Sequence, residues 1–138
     1  MSWISDTLRT AVRERAGGRC EYCLTHEDDV LIPHEPDHVI AEQHGGQATL
    51  ENLAFACFHC NRRKGPNLAS VDPATGEVVR LFQPRTMRWQ EHFAMDRLQF
   101  IGLTPAGRAT IGLLRLNSPE RIALREVLAA AGRFSPPA

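Results

Sequence analysis

Apolar residues near the start of the chain recur at helical spacing. Ile4, Leu8, Ala11, Val12 and Ala16 fall on one stripe, and Gly17-Gly18 follows as a stop signal, so the pattern predicts a helix over 4–16. In the middle of the chain the period changes. Val39, Ile40 and their short apolar neighbours suit a strand, Gly45-Gly46 marks a turn, and Leu53–Cys57 suits a second strand returning beside the first. From Phe58 the sequence turns polar, and Asn61–Lys64 fits a short helix closed by Gly65-Pro66.

The second half reads as a turn and then helices. Asp72–Gly76 is a turn between short extended segments, with Val78, Val79 and Leu81 after it. Trp89, His92 and Phe93 fall at i, i+3 and i+4, the spacing of a helical turn packed on a core; an aromatic platform for stacked bases is the alternative. Thr104-Pro105 and Ser118-Pro119 each place a capping hydroxyl before a proline, the entry signal of a helix. Ile111, Leu113 and Leu114 follow the first, and Ile122, Val127, Leu128 and Ala131 the second, before Gly132. Ser135–Ala138 reads as a frayed tail.

A length of 138 residues suits one domain, with no linker or repeat that demands a second. No apolar run approaches the roughly 20 residues of a membrane span, and no basic-then-apolar leader is evident, so a cytoplasmic protein without membrane contact is expected. The zero net charge conceals an asymmetry. Residues 1–60 hold four arginines and ten acidic residues, a balance of −6, whereas residues 61–138 hold eleven arginines, one lysine and six acidic residues, a balance of +6. Binding to nucleic acid responds to such local fields, although a mixed solvated surface also accounts for them.

Four cysteines form two C-x-x-C pairs, Cys20/Cys23 and Cys57/Cys60. Two such knuckles complete a tetrahedral sulfur site, the donor set of structural Zn²⁺, whose four protein ligands leave no open position for a reacting water. Two disulfides or a redox pair are the competing readings.

Between and beside the knuckles, Asp37-His38, Asn52-Leu53, Cys60-Asn61 and Lys64-Gly65 together resemble the signature of the zinc-bearing HNH endonucleases, of the ββα-metal nuclease superfamily. The resemblance is close over residues 19–66 and looser over the C-terminal extension, 67–138. It implies an α+β fold: a ββα-metal (HNH) motif stabilised by a four-cysteine zinc site, with an N-terminal helix and a C-terminal helical extension, all within one domain. It further implies that His38 is the general base, that Asp37 and Asn61 hold one catalytic divalent ion, and that Asn52 braces the loop that positions the base. Carboxylate and amide oxygens are hard donors, which favours Mg²⁺ or Mn²⁺ over zinc there.

Hydrolysis of DNA phosphodiesters is the activity so implied, with RNA not excluded; a zinc-stabilised module that binds nucleic acid without cutting, and a purely structural zinc protein, are the alternatives. Arg62, Arg63 and Lys64 form a basic cluster beside Asn61 suited to phosphate, and His44 lies in the Gly-rich loop where it can contact phosphate. Arg115, Arg121 and Arg125 either extend that surface or form a solvated helix face. His34, His44 and His59 are not expected to bind metal directly. Adjacent residues of a regular strand face opposite ways, so a shared role for Asp37 and His38 calls for a twist or irregularity, to which Pro36 is suited to contribute. Asp37→Ala is expected to abolish activity with little loss of stability.

Overall fold

The computed structural model describes residues 3–137. Of the expected frayed tail, Ser135–Pro137 carry no secondary structure, and Ala138 lies outside the described residues. The chain divides into two compact units, one running to Leu68 and including Gln83–Thr86, the other formed by Ala69–Phe82 and the residues from Met87 onward.

The first unit opens with α1, Asp6–Arg15. Ser5 caps it by accepting from Leu8 N, and Asp6 lies in its positive first turn. Gly17 and Gly18, at φ 64° and 74°, end it as the sequence indicates. Its apolar stripe meets a short antiparallel pair, β1 (Glu35–His38) and β2 (Leu53–Ala56). Val12, Leu53 and Phe55 are buried together, with Ile4, Leu8 and Ala16 packed against them. Each large side chain so buried contributes about 1.5–3 kcal/mol. The helix α2, Phe58–Lys64, follows β2 directly, giving the strand–strand–helix order.

The first strand lies earlier than the apolar pattern indicates. It pairs over Glu35–His38, and Val39-Ile40 form a bend after it. Two physical causes explain the shift. Asn52 intercepts the Ile40 N–H with its side chain and so ends the ladder. At the other end Pro36 is harmless, because Phe55 opposite it turns both backbone groups away: its N–H donates to Glu21 Oε2 at 2.7 Å and its C=O accepts from Glu21 N at 2.8 Å. Glu21 thus seals the far edge of β2, and Arg85 pairs with its carboxylate. Arg15 covers further carbonyls, those of Leu50 and Leu53.

The second unit contains the hairpin β3 (Ala69–Val71) and β4 (Val78–Arg80), a single helical turn α3 (Trp89–His92), the hairpin β5 (Phe93–Asp96) and β6 (Gln99–Gly102), and the helices α4 (Pro105–Leu114) and α5 (Pro119–Ala130). Thr104 and Ser118 cap α4 and α5, each with proline at the next position, as predicted. Trp89, Phe93 and Phe100 form an aromatic cluster with centroids 5.3–6.0 Å apart, and Phe82 stacks edge-on to Phe93 at 5.1 Å. These rings are core.

The arginines of α5 also depart from both readings of them. Arg121 and Arg125 are buried, whereas the apolar Val127 is exposed. Positions 121, 125 and 128 share the inner face of the helix. Arg125 donates from Nε to Leu98 O at 2.8 Å and lies 4.9 Å over the Phe100 ring. Leu98 and Arg97 both have positive φ in the two-residue β5–β6 turn, so an interior guanidinium supports a strained backbone there. Among the described residues no helix is long and apolar enough to cross a membrane.

Candidate metal centre and active site

Cys20 and Cys23 lie in a tight loop closed by the Arg19–His26 bridge, with Leu24 at φ 68°. Cys57 and Cys60 straddle the start of α2, where Cys57 is itself the N-cap and accepts from Cys60 N at 3.3 Å. Cys23 N approaches Cys20 Sγ at 3.5 Å in the same manner. All four thiols are buried and free of disulfides, with sulfurs within 4.8 Å of one another. The Cys23–Cys57 separation of 3.8 Å equals the edge of a sulfur tetrahedron with bonds of about 2.3 Å. Burial pushes the Cys20 thiol well up, so holding this set as thiolates calls for a cation at its centre. His34 stays outside the set. It is buried, with Nε2 2.8 Å from Thr25 O and its ring against Phe55.

The remaining candidates converge nearby. Asp37, His38 and Asn61 all line one cleft of about 500 Å³, together with Arg9, Glu35 and Glu42. Glu35 to His38 pair residue for residue with β2, so no bulge brings Asp37 and His38 to the same cleft. The strand instead ends at His38 and the chain bends at once. The expected irregularity therefore sits after the pair, not within it. His38 Nε2 is buried and makes no hydrogen bond.

Asn52 holds the loop behind His38. Its Oδ1 accepts from Ile40 N at 2.9 Å, and its Nδ2 donates to Ile40 O at 3.0 Å and to Gln47 O at 2.9 Å. Gly46 completes this closure: a Cβ there would stand 1.6 Å from Ile40 O, so no other residue fits without moving the loop.

Asp37 is buried, and its nearest charged partner is Lys64 Nζ, 3.2 Å from Oδ2. Burial pushes the Asp37 carboxyl up, while Lys64 and then His38 draw it partly back. Lys64 thus parts from the exposed basic cluster expected of it. It is 3% exposed and faces inward, whereas Arg62 is exposed, 5.9 Å over the Phe58 ring, and shares a shallow surface hollow with Arg63 and His59. His44 is exposed in the 3₁₀ turn Glu42–His44 and is not among the cleft residues. Arg9 and Glu35, which pair at 2.8 Å on the cleft wall, escaped the sequence reading, because a contact between α1 and β1 leaves no local mark.

The family model described as HNH endonuclease matches residues 20–67, about a third of the chain. No curated protein and no solved structure matches. The matched stretch contains all four cysteines together with Asp37, His38, Asn52 and Asn61, so this segment of the chain is similar to HNH endonuclease domains.

Proposed function

We propose that the protein is a metal-dependent endonuclease that hydrolyses phosphodiester bonds of DNA, with zinc as the structural ion of the four cysteines. The observation that carries this reading is that Asp37, His38 and Asn61 line one open cleft in the segment matched to the HNH family. The four-thiol set fits zinc in number, burial and spacing, and its role is to tie the first knuckle to α2.

In the cleft, Asp37 and Asn61 offer the hard oxygens suited to Mg²⁺ or Mn²⁺. When bound, such an ion supplies positive charge to the phosphate and to the departing oxygen. His38 takes a proton from the attacking water, a step that a neutral imidazole performs near neutral pH and that contributes about 10²–10⁴-fold. Asn52 keeps the following loop, and so the imidazole, in place through its three bonds to Ile40 and Gln47. Arg62, Arg63 and His44 lie outside the cleft, where they would meet flanking phosphates. The cytoplasm is the proposed location.

A second reading has one observation in its favour. Asp37 already has a cation beside it in Lys64, the arrangement expected of a module that binds nucleic acid without cutting it. Supercoiled plasmid incubated with Mg²⁺ or Mn²⁺ distinguishes the two. The nuclease reading predicts nicking that chelator stops and that His38→Ala lacks while retaining zinc and fold. Retardation of DNA without nicking, under every metal tried, selects the module.

A further inference from the structure

Lys64 is the last residue of α2, and it lies one helical turn beyond Asn61, on the same side of the helix. Its side chain is 4% exposed and that of Asp37 8%. Besides its approach to Asp37 at 3.2 Å, the ammonium donates to the carbonyl oxygens of His38 at 3.2 Å and Gly65 at 3.3 Å. The carbonyls are neutral, so Asp37 supplies the negative charge that makes a buried ammonium tolerable. The same carboxylate is the one charged oxygen donor of the proposed divalent site.

Resting on the one-metal reading above, we infer that the Lys64 ammonium holds the position at Asp37 that a divalent cation takes, so that metal binds this carboxylate only by displacing Lys64. A univalent and a divalent cation sharing one carboxylate at hydrogen-bond distance, out of water, repel strongly. The flexible four-carbon stem lets the ammonium withdraw without moving α2. Its two carbonyl partners remain after withdrawal, and Gly65 is itself part of the cleft wall, so the displaced charge stays beside the bound phosphate. Lys64 is thus a built-in competitor that keeps resting metal affinity low.

Calorimetric titration of the zinc-loaded protein with Mn²⁺, above the carboxylate pH range, tests this directly. Lys64→Met is expected to bind Mn²⁺ roughly tenfold or more tightly than the parent, and Lys64→Arg about as the parent does. Equal or weaker binding by Lys64→Met, with zinc retained, overturns the inference while leaving the metal reading intact. No Mn²⁺ bound by any of the three proteins overturns the metal reading and this inference with it. Should Lys64→Met lose its zinc, the unaltered protein gives the answer by NMR during Mg²⁺ titration. The Lys64 side-chain resonances are expected to move and saturate together with the Asp37 and Asn61 backbone signals. Movement of those signals with Lys64 unmoved would refute displacement.

Discussion

Asn52 grips both backbone polar groups of Ile40, accepting from its N–H at 2.9 Å and donating to its C=O at 3.0 Å. A single amide side chain thereby does the work of one further rung of the β1–β2 ladder while turning the chain away from it. The loop that leaves His38 is fixed at its first turn.

Removing that grip leaves the Ile40 N–H and two loop carbonyls without their partner. Asn52→Ala is expected to cost about 1–3 kcal/mol and to lower the turnover of any nuclease activity, with zinc retained. Thermal melting together with amide exchange at Ile40 checks this. Unchanged exchange at Ile40 would show that the loop does not depend on Asn52.

The buried pair revises the expectation for Asp37. Because Lys64 is buried against it, Asp37→Ala does not merely remove a ligand of the proposed metal site: it strands an ammonium, at a cost of about 3–5 kcal/mol. Adding Lys64→Met to Asp37→Ala should restore a good part of that stability without restoring activity. Denaturant melts of the two single variants and the double variant give the coupling, and additive losses would mean that the pair is not a unit.

The zinc site makes a broader demand. Cys20 and Cys23 belong to the first knuckle, Cys57 and Cys60 to the start of α2, and the proposed zinc ion would join them. Cys57→Ser or Cys60→Ser is expected to lose bound zinc and to broaden or abolish cooperative unfolding of the first unit, because ion binding and folding are linked. Zinc content by atomic absorption, read beside the melting curve, is the check. A variant with no zinc and an unshifted melt would contradict a structural role.

In the second unit, Asp72 meets Arg108 through two bonds of 2.9 Å, and the guanidinium holds its carboxyl down from 3.8 to about 2. The folded form therefore releases this proton more readily than the unfolded form. The stability gained is fully present above pH 3.8 and is lost as pH falls toward about 2. Over that window the native protein should lose more stability than Asp72→Asn does. Parallel stability–pH curves for the two would count against the assignment.

How far these features could be read beforehand follows their range along the chain. The cysteine knuckles, the capped entries of α4 and α5, the stripe of α1 and the strand–strand–helix order are written in spacings of a few residues, and they were legible. The pairing of Glu35–His38 was not, because it depends on Asn52 and Glu21 competing for backbone groups, at separations no local pattern records. Charge runs misled for a related reason. Arg62-Arg63-Lys64 reads as one surface cluster, yet the third residue is a helical step round from its neighbours and faces a buried carboxylate. Arg125 reads as exposed until the strained turn at Arg97-Leu98 offers a carbonyl for its guanidinium to satisfy. Of the candidate cleft, Asp37, His38 and Asn61 were nameable from sequence as residues that line it; that a cation of the chain's own stands at Asp37 was not.

Crystals of the zinc-loaded protein soaked in Mn²⁺ and measured at the manganese absorption edge locate the hard cation directly. The account predicts an anomalous peak in the cleft, bonded to Asp37 and Asn61 and separate from the ion among the four sulfurs, with the Lys64 ammonium withdrawn. Manganese bound elsewhere, or a cleft that stays empty under conditions in which DNA is cut, would contradict it.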